Sequence, residues 1–215
     1  MKIGIIGSGI VGRVLGSAFL KEGNEVMLGT RDTNKEEVVK WKAENSGAQA
    51  GSFSETAAFG EIVVLAISGL AAKEVIDISG INNFKGKVVI DATNPIANTA
   101  PENGVLSFFT GNNDSLMERI QRQVPEAFVV KAFSCVGNAH MYKPDFKGIQ
   151  PTMFICGNDE KAKKTVASIL TGFGWETADM GKVEAARAIE PLCILWCIPG
   201  IMKGQWNHAF KLLKR

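Results

Sequence analysis

The apolar run of residues 1–6 ends in Gly7-Ser8-Gly9-Ile10-Val11-Gly12, and this junction restricts the fold more than any other stretch of the chain. Val11, Val14, Leu15, Ala18 and Phe19 then recur at the spacing of one helix face. Glycines spaced in this way between a strand and an amphipathic helix form a dinucleotide-binding turn. Gly7 permits the tight turn, Gly9 lets backbone amides reach a pyrophosphate, and Gly12 lets the helix lie close on the sheet. The helix N-terminus adds unpaired N–H groups and partial positive charge, both of which favour an anion.

The strand expected over residues 25–29 ends where an NAD-binding chain places Asp or Glu to accept from the ribose hydroxyls. Thr30 and Arg31 stand there instead. A hydroxyl and a guanidinium can both donate to a 2′-phosphate, the guanidinium as a bidentate fork. Lys35 offers a third contact one turn on. This exchange of basic for acidic favours NADP over NAD. Asp32 is dissonant, because it can pair with Arg31 or accept from the ribose itself. Thr33-Asn34-Lys35-Glu36 also fits a capping box that opens a helix, with Arg31 and Lys35 then merely solvated.

Strand-like runs recur at residues 62–67, 88–91, 127–132 and 152–156, with Thr177-Ala178 as a short edge strand. Their alternation with helical patterns predicts an α/β, Rossmann-like, doubly wound and mostly parallel sheet. Ligands of such sheets lie beyond the carboxyl ends of the strands. That rule selects the loops starting at Gly7, Thr30, Ile67-Ser68-Gly69 and Asp91-Ala92-Thr93-Asn94-Pro95, with the loop after Lys131-Ala132. Residues 96–113 show no period and hold Phe108 and Phe109, which suit a loop anchor or a ring cover. Ser115-Leu116-Met117-Glu118 is a second capping box. Lys161, Lys163 and Lys164 read as the wet face of a helix whose dry face is Ala162, Val166, Ile169, Leu170 and Phe173. Glu190-Pro191 marks a break. Residues 192–198 are apolar all round, so that helix must bury in the core or against a second subunit. The expected organisation is a nucleotide-binding domain over residues 1–181 with a small C-terminal helical extension over 182–215.

At 215 residues and 46% hydrophobic content the chain can build one core. A net charge of +2 from scattered lysines gives no case for nucleic acid. No signal peptide or membrane span is expected, since the N-terminus is already a strand and the apolar run 191–202 is short and broken by Pro199-Gly200. Cys135, Cys156, Cys193 and Cys197 form no CxxC and have only His140 and His208 as company, so the expectation is no metal and reduced thiols in a cytoplasmic protein. Cys135 with His140 could suggest a nucleophile and base, but no third group orients them. Glu184, Arg187 and Glu190 fit a surface ion-pair ladder more simply than a ridge facing a pocket. Asp91 fits the holder of the Thr93-Asn94 turn better than a catalytic acid.

Gly7 to Gly12, Gly29-Thr30-Arg31-Asp32 and Asp91 to Pro95 recur together with Val129-Val130-Lys131-Ala132-Phe133, Phe154 to Asp159 and Asp179-Met180-Gly181. In these motifs the chain resembles the NADPH-dependent reductases of the deazaflavin coenzyme F420, and the reductase part of the six-transmembrane metalloreductases is similar. The resemblance implies a Rossmann-like domain, commonly a homodimer, acting on a small molecule. It places Ser8, Gly9, Ile10 and Val11 on the pyrophosphate and Thr30, Arg31 and Lys35 on the 2′-phosphate. It places Ile67 and Ser68 on the ribose, Asn94 and Pro95 near the nicotinamide, and Val136, Gly137 and Asn138 beside the acceptor, a deazaflavin or a flavin. Hydride transfer between two cofactors asks the protein mainly to stack rings and exclude water. Ser8, Asn94 and Ser134 are therefore expected to orient rings without exchanging protons, and no catalytic acid–base residue is expected. A reductase of small imines or hydroxy acids and a non-catalytic NADPH sensor are the competing readings. Replacing Arg31 with alanine should weaken NADPH by about 1–3 kcal/mol and leave NADH nearly unchanged in calorimetry; equal losses would remove the case for NADP.

Overall fold

A computed structural model describes residues 1–214, so residue 215 of the expected extension lies outside the described residues. The strands are β1 (Lys2–Ile6), β2 (Glu25–Gly29), β3 (Gln49–Gly51), β4 (Ile62–Leu65), β5 (Val88–Asp91), β6 (Phe128–Lys131), β7 (Thr152–Gly157) and β8 (Glu176–Asp179). They form one sheet in the order β3-β2-β1-β4-β5-β6-β7-β8. All neighbours are parallel except β6 and β7. The helices are α1 (Ile10–Lys21), α2 (Glu36–Glu44), α3 (Phe53–Phe59), α4 (Ala72–Ser79), α5 (Leu116–Gln123), α6 (Glu160–Gly172), α7 (Ala186–Ile189) and α8 (Leu192–Lys203). The strand order reverses between β1 and β4, which opens a crevice at their carboxyl ends.

Apolar residues cover both faces of the sheet. Ile3, Ile5, Val64, Ile90 and Val130 pack in one cluster with Leu15, Phe19 and Trp41, while Ile6, Val63, Leu65, Val89 and Val129 pack in a second with Ile76, Phe84 and Ile120. Successive strand residues point to opposite faces, so continuous apolar runs such as Ile62–Leu65 are what a doubly covered sheet requires.

Several expectations need correction. The short strand β3 was not anticipated, since Gln-Ala-Gly has no apolar alternation; its parallel pairing with Met27, Leu28 and Gly29 creates it. The Thr33 capping box does not form. Lys35 is the N-cap of α2, without a side-chain bond, and Asp32 Oδ1 accepts the Asn34 amide at 2.8 Å in a local turn. Ser115 does cap α5, accepting the Glu118 amide at 3.2 Å. Lys163 is buried rather than wet, because its ammonium lies 2.8 Å from both Asp179 and Glu160 while its stem lies over Gly157 of β7. Phe109 anchors the 96–113 loop: it is half-buried against the second cluster, and its amide donates to Pro95 O at 2.9 Å.

Glu190 and Pro191 keep right-handed helical angles, so α7 and α8 run on with no true break. The continuous stretch Val183–Lys203 is long and apolar enough, by length and composition alone, to cross a membrane. Its charged groups instead dock it on α5 and the sheet: Arg187 binds Glu118 of α5, and Glu190 is buried against Lys131 of β6. One face remains uncovered, with Leu195 55% and Met202 56% exposed. Beyond α8 the chain folds back, Trp206 lying on Gly200 and Phe210 O accepting the Thr152 amide at 2.9 Å.

Gly12 shows how tightly the first helix lies on the first turn, since a Cβ there would stand 2.0 Å from Gly7 O. Gly12→Ala should therefore cost about 1–3 kcal/mol of stability by overpacking. A urea midpoint equal to that of the parent would show that α1 can move away freely.

Candidate active site

The crevice is built first from backbone. Gly7 holds φ +120, a conformation that excludes side chains, and a Cβ there would stand 2.3 Å from Ala66 O. Nothing lies within 4 Å of where a Gly9 Cβ would be. Helix α1 has Gly9 as N-cap, no side-chain cap and no acidic residue in its first turn. Open space above uncapped amides fits a pyrophosphate, so the glycine turn can hold the dinucleotide expected of it.

At the end of β2, Thr30 is buried and its hydroxyl donates to Asp32 O at 3.1 Å while accepting from Ser8 Oγ at 3.1 Å. Ser8 and Thr30 are thus brought together, one hydroxyl stiffening the other's turn. Arg31 is exposed, and its guanidinium meets Glu74 of α4 at 3.0 Å with both side chains more than 60% exposed (62% and 63%). An exposed pair of this kind is worth little and yields readily to a dianion. Lys35, the N-cap of α2, is exposed as well.

Ile67 and Ser68 follow β4, with Ser68 exposed. The next residue, Gly69, lies so close to the following loop that a Cβ would be 2.1 Å from Asn94 O. Asn94 Nδ2 donates to Ser134 O at 2.9 Å. Its Oδ1 and the Ser134 hydroxyl are buried without a hydrogen-bond partner. Phe133, before Ser134, holds a left-handed backbone of φ +62, strained for a bulky side chain. Val136 is buried, and Gly137 lies under Trp196 of α8, where a Cβ would be 2.4 Å from the indole. Asn138 faces α1 across a cleft of about 660 Å³ shared with Ile10, Arg13 and Ser17. Hydrogen bonds thus bring Ser8 to Thr30 and Asn94 to Ser134, while of the nominated residues only Ile10 and Asn138 line the cleft beside α1.

Sequence reading missed the buried polar centre at the ends of β5 and β6. Lys131 Nζ lies 2.9 Å from Asp91 Oδ2 and 3.0 Å from Glu190 Oε1, and donates to Thr93 O at 2.6 Å. Asp91 Oδ1 accepts from the Thr93 amide at 2.9 Å and hydroxyl at 2.6 Å, the turn-holding role expected of it. Glu190 also accepts the Leu116 and Met117 amides at 3.0 Å, closing the N-terminus of α5. Burial alone would push the Lys131 ammonium down, but the two carboxylates outweigh it and hold it above the usual lysine range. Arg187 forks onto Glu118 at 2.9 and 2.5 Å. Glu190 and Arg187 are thus neither a surface ladder nor a pocket ridge. The available signal was a lone lysine in an apolar strand run and a lone glutamate before an apolar helix.

Cys135 is a buried thiol, pushed up to about 11 by its burial, which suits packing rather than nucleophilic attack. Among the described residues no group of three or more His, Cys, Asp or Glu is placed to hold a metal ion.

Residues 2–95 match the family described as NADP oxidoreductase coenzyme F420-dependent. The chain is 28% identical over 202 residues to the F420-dependent NADP reductase of Methanocaldococcus jannaschii, covering 89% of each. It is 25% identical over 205 residues to the rat metalloreductase STEAP3, covering 94% of this chain and 39% of that protein. A crystal structure of a putative F420-dependent NADP reductase from Arthrobacter sp. FB24 superposes with a TM-score of 0.91 at 31% identity, covering 100% of both chains.

The Arg187 hydrogen bonds hold Glu118 below its ordinary value of 4.5 against the effect of burial. A carboxylate lowered by folding stabilises the native state above its unfolded value and loses that contribution as pH falls through its folded value. The stability gap between the parent and Glu118→Gln should therefore be full at neutral pH and shrink as pH falls below 4.5. A gap constant from neutral to strongly acid pH would show that the pair does not contribute.

Proposed function

The chain belongs to the family of coenzyme F420-dependent NADP oxidoreductases and is an NADP-dependent oxidoreductase; from that premise we propose that its second substrate is a deazaflavin. Bound together, the two cofactors supply the chemistry, a hydride passing between nicotinamide C4 and deazaflavin C5 with the accompanying proton exchanged with water. The protein's own contribution is binding and placement.

Amides of Ser8 to Val11 take the pyrophosphate, Gly7 supplying the turn with its own amide bonded to Gly29 O. Arg31, released from Glu74, takes the 2′-phosphate with Lys35 beside it, while buried Thr30 holds the turn between them. Ile67 and Ser68 line the ribose. Asn94 and Pro95 meet the nicotinamide, and Val136, Gly137 and Asn138 border the acceptor. The observation that carries this reading is the partnerless pair Asn94 Oδ1 and Ser134 Oγ at the carboxyl end of the sheet. Such groups orient a polar ring by hydrogen bonding and need move no proton. The deazaflavin itself is favoured by the two relatives whose names carry F420. We further infer a cytoplasmic homodimer, a second copy covering the exposed apolar face of α8 around Leu195 and Met202.

Stopped-flow mixing with NADPH and either F420 or flavin mononucleotide tests the acceptor. Rapid NADPH oxidation with F420 and roughly tenfold or more slower oxidation with flavin is expected, because a misplaced ring loses rate steeply. Faster flavin reduction would reassign the acceptor. Tight NADPH binding with neither compound reduced would favour a sensor, and turnover of a cyclic imine would favour an imine reductase.

A further inference from the structure

Thr93 is held at three points: its carbonyl accepts from Lys131 Nζ at 2.6 Å, and Asp91 Oδ1 accepts from its amide at 2.9 Å and its hydroxyl at 2.6 Å. The next residue is Asn94, tied to Ser134 O at 2.9 Å and packed on Gly69 without room for a methyl group. Lys131 is itself set by Glu190 at 3.0 Å, a residue from the far end of the chain that also fixes the start of α5. Neither Lys131 nor Glu190 reaches solvent, at 0% and 1% exposure.

We propose that Lys131 and Glu190 are positioning residues for hydride transfer. Glu190 holds Lys131, Lys131 sets Asn94 through the Thr93 carbonyl, and the C-terminal helical segment thereby governs where the nicotinamide ring lies. The proposal rests on the reading that Asn94 and Pro95 meet that ring. A pair serving only to dock α7 on the sheet would need no contact with Thr93; here the third ammonium hydrogen bond goes to the loop rather than to a helix. The left-handed Phe133 two residues beyond Lys131 shows that the opposing wall, with Ser134, is also held in a conformation its sequence does not favour.

Glu190→Gln in the full-length chain is compared with Arg187→Gln, which lies on the same helical segment and docks on the same α5 but contacts Glu118 instead of Lys131. Glu190→Gln should bind NADPH within about twofold of the parent, lose about tenfold in kcat with F420, and shorten the nicotinamide emission lifetime of bound NADPH toward that of free nucleotide. Arg187→Gln should leave lifetime and kcat near the parent even at an equal loss in melting temperature. Equal behaviour of the two variants in lifetime and kcat, or an unchanged lifetime in Glu190→Gln, would overturn the proposal. The lifetime needs only NADPH, so it decides the matter even where F420 proves not to be the acceptor. Should Glu190→Gln fail to fold, Glu190→Asp keeps the charge but draws the carboxylate back from Lys131, and it must produce the same shortened lifetime.

Discussion

An ammonium group deep in a protein is tolerated only when opposite charge and hydrogen bonds answer its lost hydration, and Lys131 meets that requirement by gathering partners from three separate segments. Asp91 comes from the end of β5, Thr93 from the loop beyond it, and Glu190 from the C-terminal helical stretch. Stripping one partner from such a buried pair typically costs about 3–5 kcal/mol, because the remaining charge is stranded. The loop after β5, the start of α5 and the docking of α7 are therefore interdependent. The walls of the crevice stand where they do because this centre cannot relax in pieces.

Around that centre the carboxyl ends of β1, β2 and β4 present mostly backbone. The uncapped start of α1, the hydroxyl bond between Ser8 and Thr30, and the approach of Gly69 to Asn94 place amides and carbonyls rather than acids and bases. Such a surface suits a reaction in which the substrates carry the electronics and the protein supplies distance and dryness. The C-terminal segment belongs to the same construction, since Trp196 covers Gly137 while Glu190 reaches Lys131 beneath the loop of Thr93 and Asn94.

The local parts of this design were readable from residue order. A glycine turn between strand and helix, a hydroxyl and guanidinium in place of an acid, and Asp91 two residues before Thr93 all act over short stretches, where backbone geometry leaves few choices. Ser115 could be recognised as a cap for the same reason. Thr33 could not be separated from it by pattern, because the competing turn made by Asp32 uses the same short polar residues. Lys163 looked like its neighbours Lys161 and Lys164 until β8 brought Asp179 within 2.8 Å of it.

Periodicity and turn chemistry along the chain determined the alternating architecture and the glycine turn between β1 and α1, because those depend on neighbours in sequence. Folding alone decided that Lys131 and Glu190, 59 positions apart, would share one buried site, and that Arg31 would meet Glu74 across the crevice mouth. Charge pairing between distant segments leaves no period to read. It depends on which strand ends a parallel sheet brings side by side, and on which helix then lies across them.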